Sequence, residues 1–212
     1  MTSADTTISM PPATPETERR SGDSCPAICS ASRLDFQTIV ADPPWALEWN
    51  ANVGNGRSGR KGLPYPTMTM EEICALPVQG MAARDAHLWL WTTWNFLWSA
   101  PRVALSWGFQ PSYMLTWAKP GLGMGGRFRH SAEYCLFCER GKQLPITRRD
   151  AGTWYKWPSG RHSQKPDAFY DLVESVSPGP RLEMFARDQR LGWQTWGNES
   201  LNHVALVTPN ND

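Results

Sequence analysis

Apolar and polar positions along the chain follow two rhythms. Short apolar runs occupy Phe36 to Ala41, Ala86 to Thr92, Tyr113 to Ala118, Glu133 to Cys138 and Arg181 to Ala186. Runs of this length, too short for a helix and bounded by turn residues, predict five buried strands. Helical spacing lies between them. Phe169, Leu172, Val173 and Val176 fall at i, i+3, i+4 and i+7, which predicts a helix from Pro166 to Val176 that ends at Pro178-Gly179-Pro180. Pro101 to Trp107 carries proline in an early turn and Gly108 as its stop. Thr69-Met70-Glu71-Glu72 has capping-box spacing, in which hydroxyl and carboxylate each satisfy a free backbone donor. Strands alternating with helices predict an α/β domain with a mostly parallel central sheet and helices on both faces.

Residues 1–30, rich in Thr, Ser, Pro and Ala, hold too little apolar surface to offset ordering and are expected to form a flexible N-terminal tail. Residues 31–200 are expected to form the folded domain, and 201–212 a C-terminal tail. Two loops that follow predicted strands, Trp49 to Leu63 and Lys119 to His130, are long and rich in Gly, Asn and Arg. In an open α/β sheet such loops sit on the rim where ligands bind. A third, Arg148 to Arg161, mixes basic and aromatic residues.

Charge narrows the choice of partner. A net charge of +1 means that any nucleic acid must meet local clusters of charge. Arg57/Arg60/Lys61, Arg127/Arg129/His130, Arg148/Arg149 and Lys156/Arg161/His162 are the candidates. No apolar run approaches the roughly 20 residues that span a bilayer, so no membrane partner is expected. Without a basic-then-apolar leader, the expected location is cytoplasmic, in a bacterium or in the host if phage-encoded. Cys135 and Cys138 lie three apart in a predicted strand and therefore face opposite sides, which favours buried thiols over a metal site.

The chemistry concentrates at Asp42-Pro43-Pro44-Trp45, directly after the first strand. Two prolines stiffen the turn and donate no hydrogen bonds, so their carbonyls are expected to be free to accept. A carboxylate adds a second acceptor, and the indole completes a slot for a planar group. Methylating an aromatic amine requires this arrangement. Acceptors gripping the amino hydrogens draw a delocalised lone pair out of the ring plane, and alignment supplies most of the acceleration.

Further along come Tyr65-Pro66-Thr67-Met68, Leu88-Trp89-Leu90-Trp91, Trp107-Gly108-Phe109, Glu133-Tyr134-Cys135-Leu136, His162 to Asp167, Leu182 to Arg187, and Trp196-Gly197-Asn198-Glu199. In this order, from about Leu34 to Glu199, the chain resembles the MT-A-seventy-like family of N6-adenosine and N6-adenine methyltransferase catalytic subunits, bacterial or phage type. The resemblance implies a Rossmann-like methyltransferase fold dependent on S-adenosylmethionine, with permuted, beta-class-like motif order. It implies that Asp42 meets both the target amine and the methionyl end of the cofactor, that the Pro43 carbonyl assists, and that Pro44 and Trp45 complete the catalytic corner. Lys165 corresponds to the lysine that pairs with the cofactor carboxylate. Arg187 and Asn198 match positions that contact the cofactor ribose. Gln189, Arg190 and Glu199 stand at neighbouring family positions but depart from the eukaryotic residues. No metal is implied.

An adenine stacked in a duplex hides its amine, so the enzyme must flip it or use single strands. Arg57, Arg60, Lys61, Arg127, Arg129 and His130 are the expected phosphate contacts, with Tyr65 and Trp117 as stacking surfaces. DNA is the expected substrate, because the chain lacks the long N-terminal extensions of the eukaryotic RNA-modifying subunits. RNA adenosine is the alternative. A catalytically silent nucleic-acid-binding partner is a second, although such members have lost the tetrapeptide that is intact here. A homodimer or a partner subunit is compatible with the sequence.

Overall fold

A computed structural model describes residues 35–46, 66–123, 127–160 and 164–197, all within the unit that spans 33–212. The expected tails, 1–30 and 201–212, and the loop from Trp49 to Leu63 lie outside the described residues. In chain order the elements are β1 (Phe36–Ala41), α1 (Met70–Cys74), α2 (Val78–Met81), β2 (Ala82–Thr92), a 3-10 turn (Trp94–Phe96), α3 (Ala100–Ser106), β3 (Gln110–Ala118), β4 (Ala132–Arg140), β5 (Trp154–Tyr155), α4 (Asp167–Val176), β6 (Arg181–Met184) and β7 (Trp193–Trp196).

Seven strands form one sheet in the order β5-β3-β4-β2-β1-β6-β7. β1 pairs in parallel with β2 and β6, β6 with β7, and β3 with β5. β4 runs antiparallel to both β2 and β3. Six strands therefore point one way. The C-terminal ends of β1, β2, β3 and β6 share a rim with the start of β4. The α/β expectation holds, with β4 as the reversed strand. β5 and β7 were not predicted. β5 has two residues and an exposed edge, which leaves no apolar periodicity to read. Strand β6 stops at Met184 because Phe185 adopts φ 62, outside strand geometry.

Alternation along the strands produces a core on each face. Ile39, Leu88, Leu90 and Cys138 pack on one side beneath Ile73, Val78, Val103 and Trp107, contributed by α1 to α3 and the residue after α3. Val40, Trp89, Trp91, Cys135 and Phe137 pack on the other beneath Phe169, Leu172, Val173 and Val176 of α4. Cys135 and Cys138 thus face opposite sides of β4, and burial pushes the Cys138 thiol up to about 12. Phe169 meets the rings of Trp89 and Trp91 edge-on, a favoured arrangement of aromatic quadrupoles. Trp117 belongs to this core. It is buried, and its indole N–H donates to the Trp157 carbonyl at 3.0 Å, so the expected stacking surface there is not accessible to a base.

Local signals act as expected. The Glu72 N–H donates to the Thr69 hydroxyl at 3.2 Å, and the Glu72 carboxylate accepts from the Thr69 N–H at 2.7 Å. That backbone bond, with the hydroxyl contact, holds the Glu72 carboxyl below its usual range. Gly108 ends α3 with φ +82, a conformation that costs glycine little. Gly197 answers a different demand. A Cβ there would lie 2.5 Å from the Ala186 carbonyl oxygen and 2.6 Å from its nitrogen, so only glycine lets the chain after β7 approach the chain after β6. No helix among the described residues is long and apolar enough to cross a membrane.

His87 is fully buried in β2, with Nδ1 2.9 Å from the Ser177 hydroxyl, which also accepts from the Trp89 indole at 3.0 Å. Burial, opposed in part by Glu139, lowers its pKa from 6.5. Above pH 6.5 the ring is neutral in folded and unfolded chains alike. Below that value the unfolded chain takes up a proton that the fold resists, and stability falls. Thermal melts should therefore show Tm dropping as pH is lowered from 7.5 toward 5.5, with a shallower slope in His87→Gln. Equal slopes would show that this ring does not set the dependence.

Candidate active site

The Asp42-Pro43-Pro44-Trp45 corner grows directly out of β1. Asp42 follows the strand, and the chain then folds back tightly, the Trp45 N–H donating to the Pro43 carbonyl at 2.8 Å. The Met68 N–H donates to the Pro44 carbonyl at 2.8 Å, and the Ala46 N–H to the Met68 carbonyl at 3.0 Å. Both proline carbonyls are thus already engaged, which corrects the expectation that they are free. The prolines donate nothing, but neighbouring N–H groups still need acceptors and take these. A carbonyl oxygen keeps a second lone pair, so each can still accept one further bond.

Trp45 anchors the corner from within. It is buried, its indole N–H donates to the Trp91 carbonyl at 3.2 Å, and its ring stacks on Phe96 at 5.2 Å with 18° between planes. The expectation of an open slot wall is corrected here as well. An indole that fills the core and covers a backbone acceptor is held too deeply to offer a free face.

Asp42 faces a buried charge chain. The Lys165 ammonium lies 2.7 Å from Asp42 Oδ2 and 3.1 Å from Glu133 Oε2, and 4.8 Å above the Trp91 ring. Lys119 holds the other oxygen of Glu133 and lies over the Trp117 ring. Lys165 is nearly enclosed, with 9% of its side chain exposed against 37% for Asp42. Burial alone would lower its pKa, but the two carboxylates outweigh that and push it above the usual lysine range. Burial likewise opposes charge on Glu133, yet the two lysines hold its carboxyl below the normal value. Sequence reasoning assigned Glu133 no role. The available signal was a carboxylate opening an apolar strand, since a charge at such a position requires a partner.

A cavity of about 260 Å³ opens beside this chain of charges, and Asp42, Lys165, Arg187, Gln189 and Arg190 all line it. Five residues predicted from three separate segments therefore converge. Phe185, with φ 62, turns the chain out of β6 into the segment that supplies the last three. Arg190 is braced by Asp167 at 2.7 Å, and its guanidinium lies 3.9 Å from the Tyr170 ring centroid. Glu183, which also lines the cavity, accepts from the Tyr170 hydroxyl. Burial raises the Glu183 carboxyl above its usual range, against the opposing effects of that bond and of Arg190.

Not every predicted residue falls here. Arg127, Arg129 and His130 are exposed on the loop between β3 and β4, at the same rim. Arg148 and Arg149 line a larger cavity, about 860 Å³, over Trp89, Phe137 and Leu172, which contains none of the predicted cofactor residues. Arg57, Arg60, Lys61, Tyr65, Arg161, His162, Asn198 and Glu199 lie outside the described residues.

Known proteins share this arrangement of sequence. The chain is 29% identical to the type II methyltransferase M.MunI of Mycoplasma sp. over 79% of its own length and 78% of that protein. It is 30% identical to the N(6)-adenosine-methyltransferase MT-A70-like protein of Arabidopsis thaliana over 81% of its length, and 26% identical to the human N(6)-adenosine-methyltransferase catalytic subunit METTL3 over 82%. It spans only 24% and 30% of those two longer proteins. The MT-A70 family model matches residues 36–199, from the first residue of β1 past the last strand. With the greater part of the sequence matched, the chain belongs to the MT-A70 family.

Proposed function

We propose that this chain transfers a methyl group from S-adenosylmethionine to the exocyclic N6 amine of adenine in nucleic acid, with DNA as the preferred substrate. The convergence of Asp42, Lys165, Arg187, Gln189 and Arg190 on one cavity carries the reading. The described residues fit the cofactor. Its methionyl end is a zwitterion, and the cavity offers a buried ammonium on Lys165 for the carboxylate and Asp42 for the amine. Glu183 offers a buried acceptor suited to ribose hydroxyls. When bound, S-adenosylmethionine supplies a methyl group on a sulfonium that leaves readily, so the protein needs no strong acid or base.

The side chains then have separable tasks. Asp42 gives Oδ2 to Lys165 and, being partly exposed, keeps an oxygen for an N–H of the target amine. The remaining lone pair of the Pro43 carbonyl serves the second N–H. Trp45 and Phe96 hold that corner still, so that alignment is built in before substrate arrives. Pro44, hydrogen-bonded to Met68, keeps the turn from opening. Arg127, Arg129 and His130, exposed at the rim, are the proposed phosphate contacts, and Arg57, Arg60, Lys61 and Tyr65 are proposed as further substrate contacts. Asn198 and Glu199 join Arg187 at the ribose. Chain order supports permutation, since the catalytic corner follows β1 whereas Lys165 and the Arg187–Arg190 segment come late.

The DNA preference is supported by M.MunI, a type II methyltransferase of which the chain spans 78%. The cytoplasm is the proposed location, where nucleic acid is at hand. Matched DNA and RNA oligonucleotides, incubated with labelled cofactor, should show adenine-N6 labelling of the DNA. Labelling restricted to RNA would reverse the preference, and labelling of neither would remove the function.

Two variants separate the tasks. Asp42→Ala should lower turnover by about two orders of magnitude or more, since it removes an acceptor aligned on the reacting nitrogen, and should leave a folded protein by circular dichroism. Substantial turnover in the folded variant would count against the assignment. Lys165→Ala should raise the cofactor dissociation constant by about tenfold or more in calorimetry, the loss expected for a buried charge-assisted bond. An unchanged constant would place that lysine outside the site.

A further inference from the structure

Three described tryptophans are exposed: Trp154 on the edge strand β5, and Trp94 and Trp98 side by side at the rim that carries Asp42. Trp94 is 48% exposed and Trp98 81% exposed. Their rings meet edge-on at 6.4 Å and 73°, so the pair stands as a unit with ring surface open to solvent. An indole carries 150–250 Å² of burial potential, and leaving two side by side in water forgoes a core's usual gain.

Their position ties them to the chemistry. They lie in and after the 3-10 turn that leaves β2 at the C-terminal rim, beside the strand that delivers Asp42. Phe96, the last residue of the same turn, stacks on Trp45 of the catalytic corner, and Trp45 in turn bonds the Trp91 carbonyl near the end of β2. The turn and the corner are therefore packed directly against each other.

We propose that Trp94 and Trp98 form the stacking platform for the nucleotide next to the target adenine, holding the strand while the adenine enters the corner. This rests on the reading of the chain as a nucleic-acid methyltransferase. An extruded base leaves a neighbour that has lost a stacking partner, and an aromatic surface replaces it. Every base has a π-face, so the contact holds the strand without reading its sequence. It also takes the place expected for Trp117, which the core has claimed.

The test uses the full chain with Trp94→Ala/Trp98→Ala and Trp94→Phe/Trp98→Phe, and single-stranded DNA oligonucleotides that contain one adenine with each of the other three bases in turn beside it. Cofactor affinity, measured by calorimetry, confirms that each variant retains its pocket. The alanine pair should weaken oligonucleotide binding and raise KM by about tenfold or more, by a similar factor for every flanking base, and the phenylalanine pair should recover much of the loss. Because no phosphate contact is removed, the slope of affinity against salt should stay that of the wild type. Adding the oligonucleotide should quench wild-type tryptophan fluorescence. Unchanged KM and binding in an alanine variant that still binds cofactor, beside a wild type that methylates adenine, would overturn the platform alone. Dissociation of a wild-type oligomer by the alanine pair, with oligonucleotide affinity unchanged, would assign the surface to protein contact and overturn it too. A wild type that binds the oligonucleotides but methylates none would overturn the proposed activity instead.

Discussion

Everything at the rim depends on one buried ammonium. Lys165 sits between Asp42 and Glu133 with little contact with water, and its charge would be costly there without them. Together with Lys119 they form a row of alternating charge that is neutral as a whole. The row spans elements that are remote in sequence: the end of β1, the end of β3, the start of β4 and the approach to α4. It is therefore both an electrostatic arrangement and a structural fastening. A zwitterionic guest suits such a row, because its two charges can replace contacts that the residues already make to one another.

The sheet explains how these pieces meet. Parallel strands carry their C-terminal ends to a common rim, and reversing β4 brings its beginning, rather than its end, to the same place. Glu133 consequently arrives beside Lys165 although its strand runs the other way. The aromatic core on the α4 face, with Trp91 beneath the lysine, gives the ammonium a polarisable floor in place of water.

Apolar runs made β1, β2 and the middle of β4 legible, because burial on both faces writes a continuous signal. Helix α4 was legible from its stripe, and α1 from its capping box. Five of the seven residues expected at the cofactor, Asp42, Lys165, Arg187, Gln189 and Arg190, line one cavity, and the other two lie outside the described residues. What escaped was contextual. Trp45 and Trp117 could be recognised as aromatic, but whether an indole faces solvent or core depends on neighbours such as Phe96 and Trp157 that only folding supplies. The proline carbonyls were expected to be free because a proline's missing donor is visible in sequence, whereas the Met68 N–H that occupies one of them arrives from far along the chain. Glu133 looked like the polar end of a strand. The two residues of β5 were too few to carry a pattern.

The pairing of β1 with β6 has a consequence for the life of the chain. The Thr38 hydroxyl reaches the Pro178 carbonyl across 140 residues of sequence, and β1 lies between β2 and β6 in the finished sheet. During synthesis the first strand and its aspartate emerge early, with the far wall of the cavity still unmade. Contacts of such long range close late and at an entropic cost. A nascent chain thus holds half a pocket and has nothing to load, and only the completed polypeptide can be steadied by its small-molecule donor.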